Sequence, residues 1–146
     1  MTAILDTSVL LAALDTDAEL HRQCREAVST TPGPLVVSPM VLAELDYLLG
    51  QRGYPTVMTQ TVIPDVAEGA YTLAHLGPED LLQAATVMTT YADLRIGLTD
   101  ALNVVLADTY RTALMLTLDE RHFRVVRPLR GRSAFMLVPL DVAPAS

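Results

Sequence analysis

The chain has no lysine, no tryptophan and a single cysteine, and each absence removes a class of chemistry. Haloacid-dehalogenase phosphatases and response-regulator receivers end a first strand on an aspartate, as this chain does at Asp6, but both need a lysine beside the phosphoryl group. A P-loop needs one as well. None of the three can be assembled here. Cys24 alone cannot close an internal disulfide, and there is no Cys or His cluster of the kind that holds zinc. The apolar stretches are too short or too interrupted by charge to span a bilayer, and the first residues lack the basic and long apolar regions of a signal peptide. A cytoplasmic protein with no membrane partner is therefore expected. No internal repeat or low-complexity tract is present.

Positive charge is also scarce: the 10 basic residues, all arginine, face 17 acidic ones, for a net charge of −7. Phosphate affinity comes largely from basic side chains, so this balance argues against a general nucleic-acid coat protein. The distribution is uneven, however. Arg121, Arg124, Arg127, Arg130 and Arg132 crowd one segment together with His122, and they read either as a grip for a phosphate-bearing substrate or as a solvated charged loop.

What is abundant is apolar: 51% of the chain is hydrophobic, enough for one packed core, so residues 1–146 read as a single domain. Buried strands are expected at Thr2 to Leu5, Leu35 to Ser38 and Ala113 to Leu118, with another at Phe135 to Val138 and a possible one at Ala70 to Leu76. Helices are expected at Thr7 to Leu14, Ala18 to Ser29, Pro39 to Leu49, Pro55 to Val66, Pro78 to Tyr91, Thr99 to Thr112 and, as one turn, Glu120 to Phe123. Asp93 to Leu98 reads as loop. Strands alternating with helices predict an α/β sandwich around a mainly parallel sheet.

Four acids stand out. Asp6 and Asp119 close the first and a late strand, and in an open parallel sheet ligands gather outside the carboxyl ends of the strands. Asp100 lies in a first helical turn, where the dipole also favours an acid for purely structural reasons. On the helix after the second strand, Glu44 and Asp46 flank the apolar stripe equally closely, and periodicity does not choose between them. Carboxylates gathered in one cleft repel and raise each other's pKa unless a cation offsets the cost. An all-oxygen donor set suits a hard ion, Mg²⁺ or Mn²⁺ in its place, and that ion points to phosphodiester hydrolysis by a metal-activated water.

The residues around these acids resemble a known family. Ile4 to Leu10, Val41 to Leu45, Gly97 to Ala101 and Leu116 to Phe123 are similar, in order and spacing, to the four motifs of PIN-domain proteins in the form seen in VapC toxins of bacterial VapBC toxin–antitoxin pairs. The resemblance spans nearly the whole chain. It implies a PIN-like three-layer α/β/α sandwich, a Mg²⁺-dependent endoribonuclease, a cognate VapB antitoxin as partner, and a homodimer. By position it makes Asp6, Glu44, Asp100 and Asp119 the catalytic, metal-binding acids, and so selects Glu44 over Asp46. Thr7, Ser8 and Thr117 then lie beside them as hydroxyl donors.

Arg121, Arg124 and His122 are expected to contact RNA phosphates, although His122 equally suits packing on or capping its own turn. Asp93 also fits the toxin pattern, with loop capping as the simpler role, and Asn103 faces either the site or the core edge. Apolar residues beyond the needs of one small core, among them Val57, Val62, Leu81, Leu82, Val87 and Met88, suggest self-association. Two other readings stay open at this point: a PIN nuclease of RNA processing without an antitoxin, and a non-catalytic binding module.

Overall fold

Five short apolar runs pair in parallel into one sheet in the computed structural model, which describes residues 1–142. They are β1 (Ala3–Leu5), β2 (Leu35–Val37), β3 (Thr72–Leu73), β4 (Leu114–Thr117) and β5 (Met136–Pro139). Their order across the sheet is β3-β2-β1-β4-β5. The helices α1 (Thr7–Leu14), α2 (His21–Thr30), α3 (Pro39–Gln51), α4 (Ile63–Ala67), α5 (Pro78–Thr90), α6 (Leu98–Thr109) and the single turn α7 (Glu120–Phe123) fill the connections.

The pleat sorts the strand side chains into two cores. Ala3, Leu5, Leu35, Val37, Leu114, Leu116 and Val138 pack with α1, α2 and α3, whereas Ile4, Val36, Met115 and Leu137 pack on the other face with α5, α6, Phe123 and Phe135. Both faces of β1, β2 and β4 are therefore covered, which is why these strands read as unbroken apolar runs rather than alternating ones. This is the expected three-layer sandwich, and the sheet is parallel throughout. Each wholly buried Leu or Val contributes about 1.5–3 kcal/mol. β3 is an exposed edge pair, shorter than the expected segment.

Helix starts follow local chemistry. Ser38 Oγ accepts from the Met40 amide at 3.1 Å and Pro39 opens α3. Asp80 Oδ2 accepts from the Gly77 amide at 2.8 Å ahead of α5. Gly33 lies at φ +85°, and a Cβ there would meet the Met1 carbonyl oxygen at 1.8 Å, so only glycine lets the turn before β2 pass the start of β1.

Four expectations shift. The helix foreseen from Pro55 to Val66 is instead a wide π turn at Met58–Val62 running into α4, with the Ile63 amide bonded to Met58 O. Pro64 has no N–H to donate and its ring crowds the carbonyl four residues back, which loosens the turn before it. The loop from Asp93 contains a 3₁₀ turn at Ala92–Leu94, and α6 starts from Gly97 rather than from a Thr99-Asp100 cap. α2 begins at His21, after a turn in which Asp15 Oδ1 accepts from the Asp17 amide. Of the residues suspected of self-association, Val62 and Val87 belong to the cores, while Leu81 and Leu82 are exposed.

With β1 in the middle, the chain leaves it toward β2 on one side and returns to β4 on the other. Beyond their carboxyl ends, α1 packs on one face and Phe123 of α7 on the other, so a crevice opens between the loops after β1 and β4. No helix among the described residues is long and apolar enough to cross a membrane.

Candidate metal centre

That crevice is a cleft of about 490 Å³ lined by Asp6, Thr7, Ser8, Glu44, Asp100 and Asp119, with Leu11, Leu48 and the 97–99 backbone turn completing its wall. Four separate elements supply the acids. Asp6 is the N-cap position of α1, Glu44 projects from α3, Asp100 sits in the first turn of α6, and Asp119 caps α7 by accepting from the His122 amide at 3.0 Å. Glu44 lines the cleft and Asp46 does not, a difference that helical periodicity alone leaves open. Asp93 is exposed on its 3₁₀ turn and takes no part in the lining.

Asp6 is the buried member, 4% exposed, and only neutral donors reach it. Thr117 Oγ1 donates to its Oδ2 at 2.7 Å and Ser8 Oγ to the same oxygen at 3.0 Å, while Asn103 Nδ2 donates to Oδ1 at 3.2 Å. The donors are themselves pinned: the Leu118 amide donates to Ser8 Oγ at 2.9 Å and the Asp119 amide to Thr117 Oγ1 at 3.0 Å. Burial, and next the charge of Asp100, push the Asp6 carboxyl up to about 7, more than the hydroxyl bonds pull it down. Burial also raises Asp100, with the charges of Asp119 and Glu44 adding to it.

His122 lies against the acids rather than out toward solvent. Its Nδ1 is 2.9 Å from Asp100 Oδ2 and 3.0 Å from Asp119 Oδ2. Burial alone would lower the ring's pKa, but the bond to Asp100 and the charges of both aspartates outweigh it and leave the value raised. The arginines divide differently. Arg124 is tied to Asp141 and Glu120, and Arg130 to Asp108, whereas Arg121, Arg127 and Arg132 form no ion pair among the described residues. Of the three side chains expected to meet phosphates, Arg121 alone is exposed and unpaired. A second cleft of about 390 Å³ at the far end of α6 has only Asp108 as an acid, already held by Arg130.

The donor set fits a hard divalent cation. Four carboxylates converge, and two buried oxygens beside them, Thr7 Oγ1 and Asn103 Oδ1, have no hydrogen-bond partner. Buried polar atoms are rarely left unpaired, and oxygens beside an acidic cleft are suited to an ion or its waters. Oxygen ligands of Asp100 and Asp119 and a ring nitrogen of His122 also lie within 4.8 Å of one another. Asn103 does not line the cleft but reaches it through its bond to Asp6, and the polar identity of a wholly buried helix position is the sequence signal for that contact.

Comparison with known proteins agrees with this fold. The PIN domain profile matches residues 3–128. The chain is 46% identical over 137 residues to Ribonuclease VapC26 of Mycobacterium tuberculosis (strain ATCC 25618 / H37Rv), an alignment covering 93% of this chain and 99% of the relative. Among solved structures it resembles Mycobacterium tuberculosis VapC20, a sarcin-ricin loop cleaving toxin, with a TM-score of 0.75 at 15% identity over 88% of this chain and 99% of that one. It also resembles VapBC2 from Rickettsia felis, solved on a DNA fragment from its promoter, with a TM-score of 0.65 at 15% identity over 94% and 97% of the two chains.

Proposed function

Because this chain belongs to the PIN-domain family, among its VapC ribonucleases, we propose that it is the toxin of a VapBC pair. It cleaves RNA phosphodiester bonds internally with Mg²⁺, or Mn²⁺ in its place, and a cognate VapB antitoxin silences it. The observation that carries this reading is the convergence of Asp6, Glu44, Asp100 and Asp119 from four elements on one cleft that no arginine enters.

Asp6 and Asp100 would be the principal holders of the cation, with Glu44 and Asp119 completing the acidic wall. When bound, the cation supplies Lewis acidity, lowering the pKa of a water and offsetting charge on the phosphoryl oxygens. The chain's own residues do the rest. Ser8, Thr117 and Asn103 fix both oxygens of Asp6 with neutral donors, so the carboxylate is oriented without being neutralised. Thr7 Oγ1 is left free to orient a water or a substrate oxygen. Arg121 takes a flanking phosphate, and single-stranded loops are the expected targets because their bases are unstacked. No side chain needs to act as a nucleophile.

An antitoxin of matching chemistry is an amphipathic segment with a basic side chain that enters the acidic cleft and competes with the cation. Full inhibition by an antitoxin whose basic residues are all alanine would count against that mode. The exposed Leu81 and Leu82 support pairing with a second copy, and Leu82→Arg should then halve the mass measured by light scattering. Brief expression followed by sequencing of new RNA 5′ ends, beside an Asp6→Asn control, tests the activity. New ends absent from the control are expected, and identical profiles overturn the reading.

A further inference from the structure

We propose that His122 is a positioning residue that holds the carboxylates of Asp100 and Asp119 together from behind the cleft. The proposal rests on reading the cleft as a cation site and adds a residue that acts on the ligands rather than on the ion or the RNA.

The two aspartates come from different elements, α6 and the cap of α7, and repel each other. Left alone, each would rotate toward solvent. Ionised carboxylates only accept hydrogen bonds, so the ring Nδ1 is the donor to Asp100 Oδ2 at 2.9 Å, and the same nitrogen stands 3.0 Å from Asp119 Oδ2 as a charge contact. One nitrogen thus reaches an oxygen of each. The same residue's amide donates to Asp119 Oδ1 at 3.0 Å, so His122 meets Asp119 through backbone and ring together. Asp100 Oδ1 keeps no protein donor among the described residues and stays free for an ion.

Position separates this role from direct ligation. Asp100 and Asp119 line the cleft and His122 does not. Its side chain is 16% exposed. Thr7 is another residue of the cleft lining, and its buried Oγ1 has no partner. Ligating carboxylates need partners of this sort, and losing such a partner weakens metal affinity about 10–100-fold.

The test uses the whole chain and Mn²⁺ alone, titrated by calorimetry and followed by pulsed electron paramagnetic resonance, with thermal melts confirming folding. His122→Leu removes the donor, and the Mn²⁺ Kd should rise about 10–100-fold, whereas His122→Asn places an amide N–H where Nδ1 stood and should stay within about threefold of wild type. An unchanged Kd in His122→Leu, equal losses in both variants, or a directly coordinated nitrogen in the wild-type spectrum each overturns the role. Absence of Mn²⁺ binding by the wild type would instead overturn the cation site itself, and this inference with it.

Discussion

The two ends of α1 carry aspartates of nearly equal burial and opposite chemistry. Asp15, 5% exposed at the C-cap, accepts from Arg52 at 2.7 Å and Tyr54 at 2.9 Å, and those donors, Arg52 first, hold its carboxyl below the usual range. Asp6, 4% exposed at the N-cap, has only hydroxyls and an amide for company, faces Asp100, and is pushed up to about 7. One acid is finished by the fold and ties α1 to the end of α3. The other is left in debt for a charge that the protein does not contain, and that difference separates a structural buried acid from a functional one.

The substitution expected to divide the two ends most sharply is Asp6→Asn. RNA cleavage should fall roughly 100-fold or more. The metal-free variant should melt no lower than wild type, because an uncompensated buried carboxylate is gone. Asp15→Asn should do the reverse, lowering Tm while sparing cleavage. If both variants lost stability alike, the contrast would be void.

A pH series on the metal-free protein tests the same point without chemistry. Asp6 rises from 3.8 in the unfolded chain to about 7 when folded, so its stabilisation is complete below about pH 4 and is lost as pH climbs through 7. The loss is about 4 kcal/mol at most. The raised values of Asp100 and His122 act in the same direction, so the difference between wild type and Asp6→Asn isolates the Asp6 part. Asp15, being lowered, contributes stability above its unfolded value that disappears as pH falls through the folded one. Tm measured from about pH 3 to 8 should therefore show two opposed slopes, with only the upper one flattened in Asp6→Asn.

Adding Mg²⁺ near pH 8 should remove the Asp6 penalty. At about 100-fold excess over Kd the expected gain is about 2.7 kcal/mol, read as a higher Tm in wild type and not in Asp6→Asn. Thr117→Val should lower cleavage about 10-fold, since one of the Asp6 clamps is lost while the volume is kept. The smallest effect is expected at Arg52→Ala: Tm lower by about 2–6 °C, with cleavage unchanged.

The buried strands were legible because a doubly covered parallel strand has no polar face to disguise it, and the aspartates at their ends followed from the same pattern. Glu44 was not separable from Asp46 on helical geometry, since a helix seen alone does not show where other elements place their acids. The loosened turn before α4 is announced by Pro64, whose missing donor outweighs the apolar spacing around it. The true setting of His122 depends on Asp100, brought beside it only by the crossing of α6 over the sheet, and no local pattern encodes such a meeting. Arg124 read as a free cation for a related reason: its partner Asp141 lies beyond β5.

Cys24, completely buried against α1 and the sheet, has its thiol pushed up to about 11 by burial. At neutral pH it offers almost no thiolate and no access to reagents. A cysteine introduced at exposed Arg132 will therefore be the sole reactive sulfur for a maleimide fluorophore, and distances within an RNA complex can be read without first removing the native residue.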